Sequence, residues 1–237
     1  MSEPTPAKIN AETLLAVDLF RDLNDTDRTA IAVRCEGSRF GAGSKIVLQE
    51  DNRTDVFLII SGQVRVIFNS KLGKEVQFRD QQAGECFGEL SAIDGAPRSA
   101  EVNTLTDVFV GTIKSADFLE IATNYPSVSA KLLHQLTSMV RSLTERVVEL
   151  STLGVANRFH AELLRLARSH GIENNASLIS PAPTHAEFAS RVSTQREAIT
   201  KEIGRLVRHD ILERTRGGLK IPDVARLETM VKSLVDI

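Results

Sequence analysis

Apolar positions change their spacing several times along the chain, and each change predicts a different kind of element. Up to Phe40 the runs are short: Leu14, Leu15, Leu19 and Phe20 share one face of a helical stretch, and Asp25-Thr26 open a second that turns Ile31 and Val33 inward. Residues 1 to about 15 read as disordered or loosely attached. From Arg39 to Phe118 the pattern becomes one of short β-rich runs. Val56-Phe-Leu-Ile-Ile60 and Val64-Arg-Val-Ile-Phe68 predict a tight hairpin about Ser61-Gly62. Glycines at 62, 73, 84 and 95 recur every 11 residues, as expected when antiparallel strands reverse regularly. Short strands with turns at that interval predict a sandwich or barrel of jelly-roll type.

Helical spacing takes over at Pro126, a residue suited to a first turn. Leu133, Leu136, Val140, Leu143, Val147 and Leu150 follow at intervals of 3, 4, 3, 4 and 3, an a/d register ending near Gly154. Such a narrow seam, with Arg141, Glu145 and Glu149 off it, fits a two-stranded coiled coil and hence a homodimer. One long helix lying on its own β-domain is the alternative. A further amphipathic helix runs to about Ser169 with Phe159, Leu163 and Leu166 inward, and Ser177-Leu-Ile-Ser180 reads as a short strand. Thr184-His-Ala-Glu187 and Thr194-Gln-Arg-Glu197 each have the form of a capping box, so two helices separated by a turn near Val192-Ser193 make a helix-turn-helix. Ile211-Leu212 and Leu219-Lys-Ile221 flank Arg216-Gly217-Gly218 as a wing, and a last helix spans about Val224 to Val235.

Composition narrows the class. With 237 residues, 42% apolar and 25% charged, the chain can bury two modest cores. No apolar run approaches the roughly 18 residues of a membrane span. Met1 to Asn10 is polar, with two prolines, unlike a secretory signal, so the expected location is cytoplasmic. Cys35 and Cys86 are too few for a disulfide framework or a four-cysteine metal site. The formal charge of −2 conceals a split: from Val155 onward 13 Lys/Arg face 10 Asp/Glu, net +3, while the rest carries −5. The C-terminal part is therefore the one suited to a polyanion.

Two constellations carry the chemistry. In Gly84-Glu-Cys-Phe-Gly-Glu-Leu-Ser-Ala-Ile-Asp-Gly-Ala-Pro-Arg-Ser-Ala100, Gly88 opens a helical turn whose amides suit an anion. Arg98 brings a permanent planar cation, and Ser99 a hydroxyl donor. Glu89 would repel a phosphate, but it suits a sugar hydroxyl, as in dinucleotide sites. An anion plus a ribose is a nucleotide; the competing reading is an internal Glu89–Arg98 ion pair in a turn. The run Phe87 to Ala100 closely resembles the phosphate-binding cassette of the cyclic AMP receptor protein/fumarate-nitrate regulator family of bacterial transcription factors, in its cyclic-nucleotide-binding branch. The resemblance extends over nearly the whole chain. It implies that Gly88, the Leu90 backbone, Arg98 and Ser99 hold a cyclic phosphate while Glu89 holds the ribose. Of the family's Thr-Ser pair that contacts the purine, an ungapped count back from Arg158 leaves Leu143 and Thr144, so only Thr144 keeps a hydroxyl. Cyclic AMP is the expected allosteric ligand, with cyclic GMP, both nucleotides, or another ligand sensed by the same fold as alternatives.

In the second constellation, Ser193 to Arg208, Ala198, Ile199, Leu206 and Val207 anchor a helix. Thr194, Gln195, Arg196, Glu197, Thr200, Lys201 and Arg205 are candidate DNA contacts. The family's Arg-Glu-Thr-Val-x-Arg core stands here as Arg196-Glu-Ala-Ile-Thr-Lys201, so the operator preference can differ. Glu197 is either a base reader or a capping residue. An iron–sulfur cluster needs about four thiolates. Five histidines leave haem open, but haem would not account for the cassette. An enzyme using Glu89 with His134, His160 or His185 would want a nucleophile–base motif, a metal-ligand pair or a P-loop, and none is present. The expectation is a non-enzymatic α+β regulator with no catalytic or metal residue and no tightly bound cofactor. It comprises a cyclic-nucleotide-binding β-roll (jelly roll) at 1–125, a long dimerisation helix and hinge at 126–154 and a winged helix-turn-helix at 155–237. Its expected partners are a second copy, double-stranded operator DNA and RNA polymerase, with no membrane.

Overall fold

Val56-Phe-Leu-Ile-Ile60 is apolar at every position, and the structure shows why: this strand is covered on both sides. The computed structural model describes residues 4–70 and 75–232. Strands β1 (Thr5–Ala7), β2 (Cys35–Phe40), β3 (Lys45–Val47), β4 (Val56–Ser61), β5 (Gln63–Asn69), β6 (Glu75–Gln82), β7 (Cys86–Phe87), β8 (Glu101–Thr104) and β9 (Val108–Ile113) form two antiparallel sheets, ordered β1-β2-β9-β4-β7 and β3-β8-β5-β6. Phe57 and Ile59 face the second sheet, in a core with Val64, Phe87, Val102 and Val110. Val56 and Leu58 face the opposite way, toward α1 (Ala11–Leu14), α2 (Asp25–Ala32), α4 (Ser115–Asn124) and the start of α5 (Pro126–Thr152), in a core with Phe20, Phe118 and Val128. This is the expected jelly roll, reached by a different connection. β4 and β5 do not pair as a hairpin: β4 has β9 and β7 for neighbours, and β5 has β6 and β8. Gly62, at φ 89°, instead passes the chain from one sheet to the other; a Cβ there would lie 2.3 Å from the Asp107 carbonyl oxygen. Gly84 and Gly95 also have positive φ, and Gly73 lies outside the described residues.

The N-terminal expectations need correction. Residues 5–7 pair with Arg39–Gly37, so this segment is a strand of the first sheet rather than disordered or loosely attached. Leu14, Leu19 and Phe20 are buried, but α1 is one turn long and Leu15 falls outside its packing face, 41% exposed. α2 is capped by Asn24, whose side chain accepts from the Asp27 amide, and it ends at Ala32; Ile31 is 2% exposed while Val33, beyond the last turn, is 84% exposed.

The chain divides into two compact units, Met1–Val140 and Arg141–Ile237, so the break falls inside α5 rather than at its ends. The second unit packs α6 (Val155–His170), α7 (His185–Arg191), α8 (Arg196–Arg208) and α9 (Val224–Lys232) around Phe159, Phe188, Ile199 and Leu206, with a small sheet ordered β10 (Ser177–Ile179), β12 (Gly218–Ile221), β11 (Glu213–Thr215). The wing is formed as expected, although its first strand starts after the buried Ile211 and Leu212. The end expected for the last helix, Val235, lies outside the described residues. Along α5, Leu133, Val140, Leu143, Val147 and Leu150 are exposed in the single chain, and Leu136 is partly buried against the first core. No described helix is long and apolar enough to cross a membrane.

Ile31→Ala is expected to cost about 2–5 kcal/mol, the range for emptying a well-packed site, and Val33→Ser to stay within about 0.5 kcal/mol. Urea unfolding of both variants checks this, and equal losses would mean that α2 packs through a different face.

Candidate nucleotide-binding cassette and nucleic-acid interface

The cassette is built on a two-residue strand. β7 pairs with β4 through Leu58↔Cys86 and Phe57↔Phe87, and the two phenylalanine rings stack at 4.9 Å. This delivers Gly88 in the left-handed region, φ 86°, as the N-cap of α3 (Glu89–Asp94). Only glycine fits there: besides the backbone angle, a Cβ would meet Arg98 Nη1 at 2.5 Å and the Asp55 carbonyl oxygen at 2.7 Å. Gly95, also left-handed, closes α3, its amide donating to the Ser91 carbonyl. Arg98 is then pinned from both sides: its amide donates to the Asp51 carbonyl, and its own carbonyl accepts from the Glu50 amide.

The Arg98 guanidinium, only 3% exposed, donates from Nη1 to the Gly88 carbonyl (2.9 Å) and from Nη2 to the Asp55 carbonyl (2.6 Å), with its Cζ 5.8 Å from the Phe57 ring centroid. Burial lowers its pKa, opposed by the nearby Asp55 and Asp51. Glu89 is equally buried, at 3% exposed, and burial pushes its carboxyl upward, moderated by its own amide and by the charges of Arg79 and Arg98. Among the described residues no ion pair joins Glu89 to Arg98, so the internal-bridge alternative is not what the structure forms. Ser99 and Leu90 lie exposed beside them. The Cys86 Sγ meets the Gln135 side chain of α5 at 3.6 Å, and burial raises its thiol pKa strongly. Thr144 is exposed on α5, in the other compact unit. Among the described residues no group of three or more His, Cys, Asp or Glu could hold a metal ion.

In the second unit the Thr184–Glu187 capping box is complete. The second one is not. Ser193 turns at φ 53°, the Thr194 amide donates back to the Ala189 carbonyl, and α8 begins one residue later than expected, with Gln195 as an N-cap that makes no side-chain cap bond. Glu197 is thus not a capping residue. Gln195, Arg196, Glu197, Thr200 and Lys201 are exposed on the first turns of α8, with the Thr200 hydroxyl 2.8 Å from His185 Nδ1 of α7. Arg205, expected outward, is engaged: it donates to Glu202, which also lies 2.6 Å from His160 Nε2.

Two buried acids carried no signal in the spacing of residues. Glu162 is reached by Arg165 of α6, Arg191 of α7 and Arg146 of α5, and Arg165 also binds Glu149, so one carboxylate joins three helices. The other, Glu202, lies on α8 against His160 of α6. Arg158 donates to the Leu153 and Val192 carbonyls, fixing the end of α5 against the turn of the helix-turn-helix. Alternation of charge along a helix looks like a solvated face; only packing reveals a carboxylate at a helix crossing.

Residues 38–125 match the Cyclic nucleotide-binding domain family and residues 157–230 the Crp-like helix-turn-helix domain family. The chain is 24% identical over 193 residues to the CRP-like cAMP-activated global transcriptional regulator of Mycobacterium tuberculosis, covering 81% of this chain and 86% of that protein. It is 27% identical over 196 residues to the cyclic AMP receptor protein of Thermus thermophilus, with the same coverage. Among solved structures, a CooA mutant from Carboxydothermus hydrogenoformans superposes with a TM-score of 0.78 at 17% identity, over 96% of this chain and 98% of that one.

Burial holds His160 below the usual histidine range, opposed by its bond to Glu202. For Glu202, burial raises the carboxyl but is outweighed by hydrogen bonds from Arg205 and His160, so its net shift is downward. A histidine depressed in the folded state takes up its proton first in the unfolded state, so stability is lost as pH falls below about 6.5, and the Glu202 contribution is lost further down. Thermal unfolding is expected to weaken from pH 7.5 to 5.5 by at most about 1.4 kcal/mol per pH unit from this histidine, and His160→Gln is expected to flatten that decline. An unaltered pH slope in the variant would remove His160 as its cause.

Proposed function

The chain belongs to the cyclic AMP receptor protein/fumarate-nitrate regulator family of transcription regulators, and from that premise we propose that it is a cytoplasmic homodimer. In this reading it binds a cyclic purine nucleotide in the β-roll and a palindromic DNA operator through α8. The observation that carries it is the arrangement of Arg98 and Glu89: two buried, opposite charges close enough to feel each other, yet not joined. Arg98 uses two of its five donors on carbonyls that hold it in place and keeps the others for a phosphate. Glu89 is an acceptor for a ribose hydroxyl, and Gly88, the Leu90 backbone and Ser99 complete the phosphate's surroundings. Thr144 is the candidate contact to the purine from α5. The relatives' names favour cyclic AMP, with cyclic GMP as the alternative that Leu143 leaves open.

Coupling to DNA works through population shift. In the second unit, the Glu162 cluster and Arg158 fix α7 and the turn before α8 to the last turns of α5. A change in how two α5 helices meet along the seam is therefore passed to both α8 helices, which must match half-sites about 34 Å apart. Thr194, Gln195, Arg196, Glu197, Thr200 and Lys201 are the proposed base and phosphate contacts. Arg205 joins them by exchanging Glu202 for DNA. As a transcription regulator it would act on RNA polymerase.

Arg98→Ala is expected to weaken nucleotide binding at least about 30-fold, the loss that follows removal of one partner of a buried charge pair, while the chain stays folded and dimeric. Calorimetry with cyclic AMP and cyclic GMP tests this, and an unchanged affinity refutes the site. Asp at both Val140 and Val147 is expected to yield monomers by light scattering and to abolish operator binding in a gel-shift assay; a variant that remains dimeric rules out the seam.

A further inference from the structure

One carboxylate of the second unit is shared by two groups that compete for the same oxygen. Glu202 of α8 places Oε1 2.6 Å from His160 Nε2 of α6 and 2.6 Å from Arg205 Nη2, while Arg205 Nε lies 3.0 Å from Oε2. The two claimants also crowd each other, with Arg205 Nη2 3.3 Å from His160 Nε2. A neutral His160 donates its Nε2–H to Glu202, and its other ring nitrogen, Nδ1, is buried without a hydrogen-bond partner among the described residues. In that state one carboxylate faces one guanidinium, and the set is neutral.

The elements packed against α6 bring no second acid to this histidine. α8 contributes Glu202 and Arg205. α9 brings Glu228, but to Arg168, while α7 and α5 bring Arg191, Arg146 and Glu149, but to Glu162 and Arg165. β10 carries no charge. Protonation of His160 therefore places an N–H where no acceptor waits and a second cation beside the Arg205 guanidinium. One carboxylate then faces two cations, and only one of them has somewhere to go. His160 is 2% exposed, whereas the Arg205 side chain is 41% exposed. Arg205 also follows Glu197 and Lys201 along one i, i+4 ridge of α8, and both of those are exposed.

We propose that His160 is a positioning residue for DNA binding, whose proton releases Arg205 from Glu202 so that α8 gains a DNA phosphate contact as pH falls. The proposal rests on the reading of α8 as the helix that meets DNA. The imidazolium keeps Glu202 as its counter-ion, and the freed guanidinium finds its own in the phosphate backbone. Burial holds His160 below the usual histidine range, so the release sets in on the acid side of about 6.5. Above that pH Glu202 retains Arg205 and the contact is absent. By reciprocity, DNA that draws Arg205 away from Glu202 raises the proton affinity of His160 by the same factor. One phosphate gained per chain tightens binding by about 3- to 10-fold and steepens its salt dependence by about one released ion.

Fluorescence anisotropy of a labelled random-sequence duplex, titrated with the full-length chain from about pH 7.5 to about 5.5 at several salt concentrations, tests this. Each titration is run with cyclic AMP, with cyclic GMP and with neither. The unmodified protein is expected to bind more tightly on acidification. His160→Gln keeps a donor for Glu202 but takes up no proton, and is expected to lose about 3- to 10-fold of that gain. His170, His185 and His209 lie in the same unit, so the gain is read as the difference from this variant. Arg205→Gln is expected to lose the same increment, and the double substitution no more than either alone. Glu202→Gln is expected to show, already at about pH 7.5, the steeper salt dependence that the unmodified protein reaches only in acid. Circular dichroism at both ends of the range confirms that each variant is folded. The proposal is overturned if His160→Gln or Arg205→Gln keeps the full gain, or if His160→Gln weakens binding equally at every pH, which would make its role structural. Failure of the unmodified protein and every variant to bind duplex at any pH would instead sink the DNA-binding reading of α8.

Discussion

Two backbone carbonyls, those of Gly88 and Asp55, hold the Arg98 guanidinium inside the β-roll, and the first unit is arranged so that they can. A buried cation needs acceptors. Had a carboxylate supplied them, the charge would be neutralised within the protein. Carbonyls are weaker, neutral partners: they fix the fork's direction while leaving its charge and remaining donors usable. Several features of the first unit serve this arrangement. Gly88 must lack a side chain, because Arg98 Nη1 occupies the place its Cβ would take. β7 has to pair with β4, because that register sets Phe87 on Phe57 and turns the next residue toward Arg98. β4 in turn is apolar on both faces because it separates the inter-sheet core from the helical one.

The second unit treats buried charge in the opposite way. Glu162 meets three guanidiniums, and Glu202 is shared between His160 and Arg205, so charge is matched by charge and the interactions close on themselves. Removing one member of such a set leaves the others buried and uncompensated, which makes the arrangement stiff as well as specific. In the proposed coupling, such stiffness would let the second unit carry a change in α5 to α8 without absorbing it.

How far the sequence revealed this depended on the range of the interaction. Elements set by local spacing were legible: the long helix that carries Leu133 to Leu150, the Thr184–Glu187 cap and the wing. Extrapolation failed where an element stopped sooner than the pattern, as at Val33 one residue past α2 and at Leu15 past the single turn of α1. The hairpin at Gly62 failed because turn chemistry says that a chain reverses, not which strand it then joins. Thr194 lost its capping role to a longer-range choice, its amide donating to the Ala189 carbonyl. The cassette residues were legible as chemistry because arginine, serine, glutamate and glycine stand close together in sequence.

These contrasts bear on where ligand energy goes. A site whose charges are already paired gains little from a bound ion, since each new contact replaces an old one. The β-roll keeps Arg98 and Glu89 apart at the cost that burial imposes on each, and a ligand carrying both an anion and a hydroxyl relieves both costs together. On the proposed function, such a ligand would bind the folded first unit and not the unfolded chain, contributing about 2.7 kcal/mol at a hundredfold excess over its Kd. Little of this is dissipated in the second unit, where the charges are already matched. What stays unsatisfied in the single chain is the apolar face of α5, exposed at Leu133, Val140, Leu143, Val147 and Leu150; in the proposed dimer its pairing would set the direction of both α8 helices.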